Sequence, residues 1–173
     1  CNAGGVKVIR YGLTRNWVLG LTVVLMSGEV LNLNGALEKN NTGIDLRQIF
    51  IGTEGILGII TEAILKLTPL ALESDVFFFA LSSLPDVFKL FQEVRQSSFT
   101  VNAFECLSHP CLDVVLEHRG LASPFSAKHE QYVLLEVERP ASEGARAELE
   151  TWLEKCFNEN LVQDAVLAQS PKE

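Results

Sequence analysis

Residues 51–62 read Ile-Gly-Thr-Glu-Gly-Ile-Leu-Gly-Ile-Ile-Thr-Glu, and two kinds of chemistry are open to them. Gly52, Gly55 and Gly58 stand at every third position and strip side chains from a turn. Backbone bared in this way lets a large ligand or another chain segment approach closely, and it offers that neighbour N–H donors. Glu54 sits between two of these glycines. Its carboxylate could act as a base. Its surroundings favour the other role, accepting hydrogen bonds from the N–H groups of its own loop.

A second bare loop, Asn2-Ala3-Gly4-Gly5, opens the chain, and Arg10-Tyr11-Gly12 follows it. Arg10 could pair with a carboxylate or a phosphate, or form a strand-edge ion pair. Tyr11 could stack on a flat ring or simply pack. Between the two glycine loops lies Lys39-Asn40-Asn41-Thr42-Gly43-Ile44-Asp45-Leu46. The histidines, His109, His118 and His129, lack the spacing of a metal pair, so no metal is expected and surface roles are. Cys1, Cys106, Cys111 and Cys156 form no Cys-x-x-Cys pair and are expected to be buried, reduced thiols.

These loops need elements to hold them. Val18–Met26 reads as a strand buried on both faces, turning at Ser27-Gly28 into a partner over 29–33. Asp45 can cap a short helical turn ending at Phe50. Ile59–Leu67 is a further strand. A boundary is expected near Pro69–Asp75. Beyond it strands over 76–81, 101–107, 132–138 and 162–168 alternate with helices begun by Ser83, Ser108 and Ser142. Val87, Phe88, Leu90, Phe91 and Val94 should share one helix face; Leu149, Trp152, Leu153, Cys156 and Phe157 should share another. Phe77, Phe78, Phe79, Phe88 and Phe91 read as core or as an interdomain face. The fold class is α+β, an antiparallel sheet with helices on one face.

The chain has 173 residues, 47% of them apolar and 21% charged, with a net charge of −8. That charge argues against nucleic acid as a partner, since its binding is led by Lys and Arg contacts to phosphate. No apolar run reaches the roughly 18 residues of a membrane helix.

In this order and spacing the glycine motifs resemble the FAD-linked oxidases and dehydrogenases of the vanillyl-alcohol-oxidase type, with the D-2-hydroxyglutarate and D-lactate dehydrogenases the nearest branch. That branch reads Asn-Ala-Gly-Gly, Arg-Tyr-Gly, Asn-Thr-Gly-Tyr-Asp-Leu and Gly-Ser-Glu-Gly-Thr-Leu-Gly-Ile-Ile-Thr. This chain departs from it at Ile44, Thr53 and Ile56. The resemblance implies FAD against Asn2, Ala3, Gly4 and Gly5 and against Glu54, Gly55, Ile56, Leu57, Gly58, Ile59 and Ile60. Mostly backbone contacts are expected from Gly55, Gly58 and Ile59. Tyr11 and Gly12 join the cofactor-binding set, and Arg10 is the substrate-binding candidate.

The resemblance further implies that residues 1–70 are the C-terminal part of an FAD-binding domain. Residues 71–173 would be the N-terminal part of a substrate or cap domain. The family's other phosphate loop, its His-x-x-His pair and its Glu-His-Gly segment have no counterpart in 1–173. The chain is therefore expected to be an internal piece, inactive alone, prone to self-association and without catalytic residues of its own. The implied parent reaction is oxidation of a D-2-hydroxy acid, with hydride passing to flavin and an electron acceptor following, in a reducing compartment (cytoplasm or mitochondrial matrix). Alternatives are another flavoprotein of the superfamily, such as a glycolate-oxidase subunit or an alkyl-ether-lipid synthase, and a flavin-free binding module.

Overall fold

A computed structural model describes residues 1–33, 35, 37–39, 41–70, 73–140 and 142–168. Asn40 of the polar loop, and Ala71 and Leu72 at the expected boundary, lie outside the described residues. The chain divides into two compact units, residues 1–70 and 71–173.

The first unit opens with a single helical turn, α1 (Val8–Tyr11), and a 3-10 turn at Thr14–Asn16. Strands β1 (Val18–Val24) and β2 (Val30–Leu33) follow, then a second helical turn, α2 (Arg47–Phe50), and strand β3 (Ile59–Leu65). The strands form an antiparallel sheet in the order β2-β1-β3. β1 is central, which suits its β-branched and Leu composition. It stops two residues before Met26, because Gly28 (φ +85°) turns the chain and its N–H bonds to Leu25 O at 2.9 Å. Met26 is left exposed. The buried core is small: Val18, Leu21, Val23, Phe50 and Ile51. Asp45 serves α2 as expected, accepting from Arg47 N at 3.2 Å. Every residue of β3 is exposed.

The second unit is an antiparallel sheet in the order β5-β6-β4-β7, built from β4 (Glu73–Leu81), β5 (Thr100–Ser108), β6 (Gln131–Arg139) and β7 (Asp164–Leu167). Helices α3 (Leu84–Gln96), α4 (His109–Arg119) and α5 (Glu143–Asn158) flank it. The α+β class expected from sequence is therefore the one adopted. Phe77, Phe79 and Leu81 of β4 and Val133, Leu135 and Val137 of β6 share one face. There they meet Val87, Leu90 and Val94 of α3 and Leu149, Trp152 and Cys156 of α5. Each fully buried aliphatic side chain of this layer contributes roughly 1.5–3 kcal/mol.

Helices α3 and α5 cover that face, but α4 packs on the other, with Leu112 against Ala80, Phe125 and Tyr132. The reason lies in β4 and β6. Phe78, Ala80 and Tyr132 make both faces apolar at one end, so that end needs cover on both sides. Phe88 departs from the expected stripe and is 61% exposed. At 100° per residue it falls about a third of a turn from the line of Val87, Leu90 and Val94. Phe157 is displaced likewise and exposed. Ser142 caps α5 as read, accepting from Ala145 N at 3.3 Å. Ser83 does not cap α3 in this way. Its hydroxyl donates to Asp86 Oδ2 at 2.6 Å and accepts no cap hydrogen bond from the helix backbone.

Two further expectations are corrected. Cys1, Cys106 and Cys111 are exposed and only Cys156 is buried, all four as free thiols. His109 and His129 are half-buried around Tyr132 rather than on the surface. The Tyr132 hydroxyl lies 3.1 Å from His109 Nδ1 and accepts from His129 N at 3.0 Å, and both histidine rings stand close to the tyrosine ring. A buried phenol needs such partners, which is why polar residues were drawn inward.

Candidate functional site

The Asn2–Gly5 loop is held from behind by the 3-10 turn. Thr14 N and Thr14 Oγ1 both donate to Ala3 O, at 3.2 and 2.7 Å. Arg15 N donates to Asn2 Oδ1 at 2.9 Å. The Arg15 guanidinium then crosses to the other glycine loop, where Nη2 donates to Ile51 O at 3.1 Å. A Cβ built on Gly52 would stand 3.4 Å from Asn2 Cβ. The structure thus brings the start of the chain and the 51–52 turn side by side.

The glycines in these loops do different jobs. Gly58 is buried, and a Cβ there would come within 2.8 Å of Val23 Cγ1 and 2.9 Å of Val24 O. Its requirement is met entirely by β1. A Cβ on Gly4 would meet Val8 Cγ2 and Leu13 Cδ2 at 2.9 Å each. Gly5 differs from both: nothing lies within 4 Å of a Cβ there. Among the described residues no atom requires residue 5 to lack a side chain, and its bare backbone faces open space.

Glu54 is exposed and holds φ +54°, ahead of Gly55 at φ +89°. A left-handed backbone at a non-glycine residue is strained. Its carboxylate accepts no hydrogen bond among the described residues. The loop satisfies itself instead through Ile56 N to Thr53 O at 3.1 Å and Thr53 Oγ1 to Phe50 O at 2.8 Å. Ile56, Leu57, Ile59 and Ile60 are all exposed, with Ile56 at 81%. They leave apolar surface beside the glycine turn, with Ile59 and Ile60 on opposite faces of β3.

Tyr11 and Gly12 lie on the other flank of the first loop. With Gly4, Gly5, Lys7 and Trp17 they line a cleft of about 270 Å³. Enclosing pockets for drug-sized ligands run to about 300–1,000 Å³. The cleft is a wall that could take one part of a dinucleotide. Gly12 turns the chain at φ +73°, Tyr11 O accepts from Trp17 Nε1 at 2.7 Å, and the two rings meet edge to face. The Arg10 guanidinium lies over the Tyr11 ring, 5.4 Å from its centre. From the 54–60 stretch no side chain lines this cleft, so the two flanks stay separate.

Arg15 and Trp17 carry no sequence signal beyond their place after the first motif. Arg47 is equally silent. It grips Asp45 through Nε and Nη2 at 2.7 and 2.9 Å and donates to the carbonyls of Val18 and Leu19. The Arg47 hydrogen bonds hold the Asp45 carboxyl below the usual carboxylate range. This fork pins the polar loop to the start of β1. Among the described residues no group of three or more His, Cys, Asp or Glu side chains could hold a metal ion. No described helix is long and apolar enough to cross a membrane.

The first unit thus carries bare glycine loops and the second a helix-backed antiparallel sheet. The fold matches alkyldihydroxyacetonephosphate synthase with a TM-score of 0.69 at 18% identity, covering 98% of this chain and 32% of that one. It matches p-cresol methylhydroxylase with a TM-score of 0.53 at 14% identity, covering 87% and 34%. At such identities the likeness is one of fold. Residues 73–173 match the C-terminal domain of the FAD linked oxidases, and the chain belongs to that family. It is 43% identical over 169 residues to a D-2-hydroxyglutarate dehydrogenase of Xanthomonas citri pv. viticola, covering 98% of this chain and 35% of the relative. To the mitochondrial D-2-hydroxyglutarate dehydrogenase of Arabidopsis thaliana it is 38% identical over 170 residues, covering 97% and 30%. The chain spans about a third of the length of these curated relatives.

Proposed function

We propose that residues 2–5 and 54–60, with Tyr11 and Gly12 beside them, form one wall of an FAD site in an enzyme that oxidises a D-2-hydroxy acid. The observation that carries this reading is Gly5, a bare backbone position that no protein neighbour requires, in a loop tied through Arg15 to the second glycine turn. Membership of the FAD linked oxidases supports the cofactor, and the similarity to D-2-hydroxyglutarate dehydrogenases supports the substrate class. In this reading the unit 1–70 is part of the FAD-binding domain and 71–173 part of the substrate domain.

The roles assigned to this chain are binding and orientation. The 2–5 backbone would face the diphosphate, whose oxygens accept from N–H groups. Exposed apolar side chains of the stretch Ile56, Leu57, Ile59 and Ile60 would flank the ring, Ile59 and Ile60 from opposite faces of β3, and help to exclude water from it. Gly58 contributes indirectly, by letting its turn close on β1. Arg10 remains the substrate-carboxylate candidate, released from Tyr11 when an anion is present. When bound, FAD supplies the two-electron chemistry that turns a 2-hydroxy acid into a 2-oxo acid. No residue of this chain is assigned as the base. The apolar surface of β3 beyond Ile60 is assigned to association, with other parts of the protein or with a second copy. The mitochondrial names of several relatives support a reducing compartment.

Dye-coupled turnover tests the reading, with D-2-hydroxyglutarate and D-lactate offered to the whole protein. Flavin-dependent dye reduction by either acid is expected, with none from residues 1–173 alone. A whole protein that carries flavin but oxidises neither acid would refute the substrate class.

A further inference from the structure

We propose that Arg15 is a positioning residue of the flavin site, the clamp that holds the 2–5 loop and the 51–55 turn together as one surface. The inference rests on the FAD reading above and adds a residue to it. Three observations carry it. The main chain of Arg15 holds one loop, through N to Asn2 Oδ1 at 2.9 Å. Its side chain holds the other, through Nη2 to Ile51 O at 3.1 Å. Its guanidinium has no carboxylate partner among the described residues, and its Nε–H is buried without an acceptor.

A cation bound only to a main-chain carbonyl is an uneconomical way to fill space, since an aliphatic side chain would leave no orphaned donor. A guanidinium does what an aliphatic chain cannot: it reaches across and fixes a carbonyl by a charge-assisted bond. Ile51 precedes Gly52, whose α-carbon faces Asn2, and leads into the Glu54–Gly55 turn with its left-handed backbone. A turn strained at Glu54 keeps its shape only if its base is fixed. Arg15 supplies that fixing point, and it does so from the residue that also orders Asn2. A ligand spanning both loops would then meet them at a set separation, without ordering them at the cost of its own binding.

The test uses Arg15→Met, which keeps the length and removes the fork, and Arg15→Lys, which keeps the charge. Hydrogen exchange is followed by mass spectrometry in segments 51–58 and 18–24, and Kd for FAD is measured by flavin fluorescence on the whole protein. Arg15→Met is expected to speed exchange in 51–58 about tenfold, leave 18–24 unchanged and weaken FAD about tenfold or more. Arg15→Lys should recover part of both. Wild-type protection in 51–58, or lost protection with wild-type FAD affinity, would overturn the proposal. If Arg15→Met fails to fold, Arg15→Lys is judged by the same criteria. If the wild-type whole protein takes up no flavin, the FAD reading fails, and the exchange data still decide whether Arg15 clamps the turn.

Discussion

In the 71–173 unit, Phe79, Leu81, Leu90, Val133, Leu135 and Val137 are all 0% exposed, and a sheet and two helices enclose them. Among the described apolar side chains of the 1–70 unit only Val23 reaches that level, and one whole strand, β3, is exposed along its length. Ile59, Ile60, Ile64 and Leu65 stand between 41% and 56% exposed there. The two units have similar apolar material and use it differently. The second unit buries a continuous core of its own, though Phe88 and Phe157 stay exposed. The first leaves apolar surface and bare backbone outward, which is how a binding surface is built and how an autonomous core is not.

The largest effect should come from emptying the two regions in parallel. Phe79→Ala removes a ring packed between Phe77 and Trp152 and should cost about 3–5 kcal/mol in urea unfolding. Ile64→Ala, on the exposed strand, should stay within about 0.5 kcal/mol. Equal losses would mean that β3 is buried in solution and that the contrast is false. Next comes Gly58→Ala. Its Cβ would press on Val23 and the Val24 carbonyl, so a loss of about 1–3 kcal/mol is expected, followed by Trp17 fluorescence in the first unit. A neutral result would free Gly58 from its packing role and return it to the ligand.

The thiols sharpen the same comparison at smaller energies. Burial pushes the Cys156 thiol up to about 12 from 9.0. Because the folded state favours the neutral thiol, this contribution to stability is full below about pH 9 and is lost as pH rises toward 12. At pH 8 a thiol reagent should label Cys1 and Cys111 first, Cys106 more slowly because partial burial raises its thiol too, and Cys156 only on unfolding. Early labelling of Cys156 would show that the second core opens readily.

The same contrast explains what was legible in the sequence. Strand and helix periodicity reports residues that face their own core, so β4, β5, β6, α3 and α5 were readable to within a few residues. Ser142 could be read as a cap because its partner is local, whereas α4 on the opposite face could not be read, since facing depends on which sheet surface remains uncovered. Tyr132 drew in His109 from 23 residues away, a long-range choice that no window reveals, and the His129 contact three residues off follows from it. In the first unit the glycine spacing marked the loops but not their individual uses. Gly58 and Gly5 look alike in sequence, and only the atoms around them separate a packing glycine from an open one. Arg15 stayed hidden because its partners are Asn2 and Ile51, and neither bond leaves a pattern.

The central claim is that Gly5 is bare for a flavin and not for the fold. It is tested most directly by Gly5→Val in the whole protein, with thermal melting of the flavin-free form beside FAD titration. An unchanged melting temperature with FAD binding weakened about tenfold or more is the result expected, because a Cβ at residue 5 has no protein atom within 4 Å and the branched side chain would project into the space proposed for the ligand. FAD binding equal to wild type would contradict the account and move the flavin off this loop.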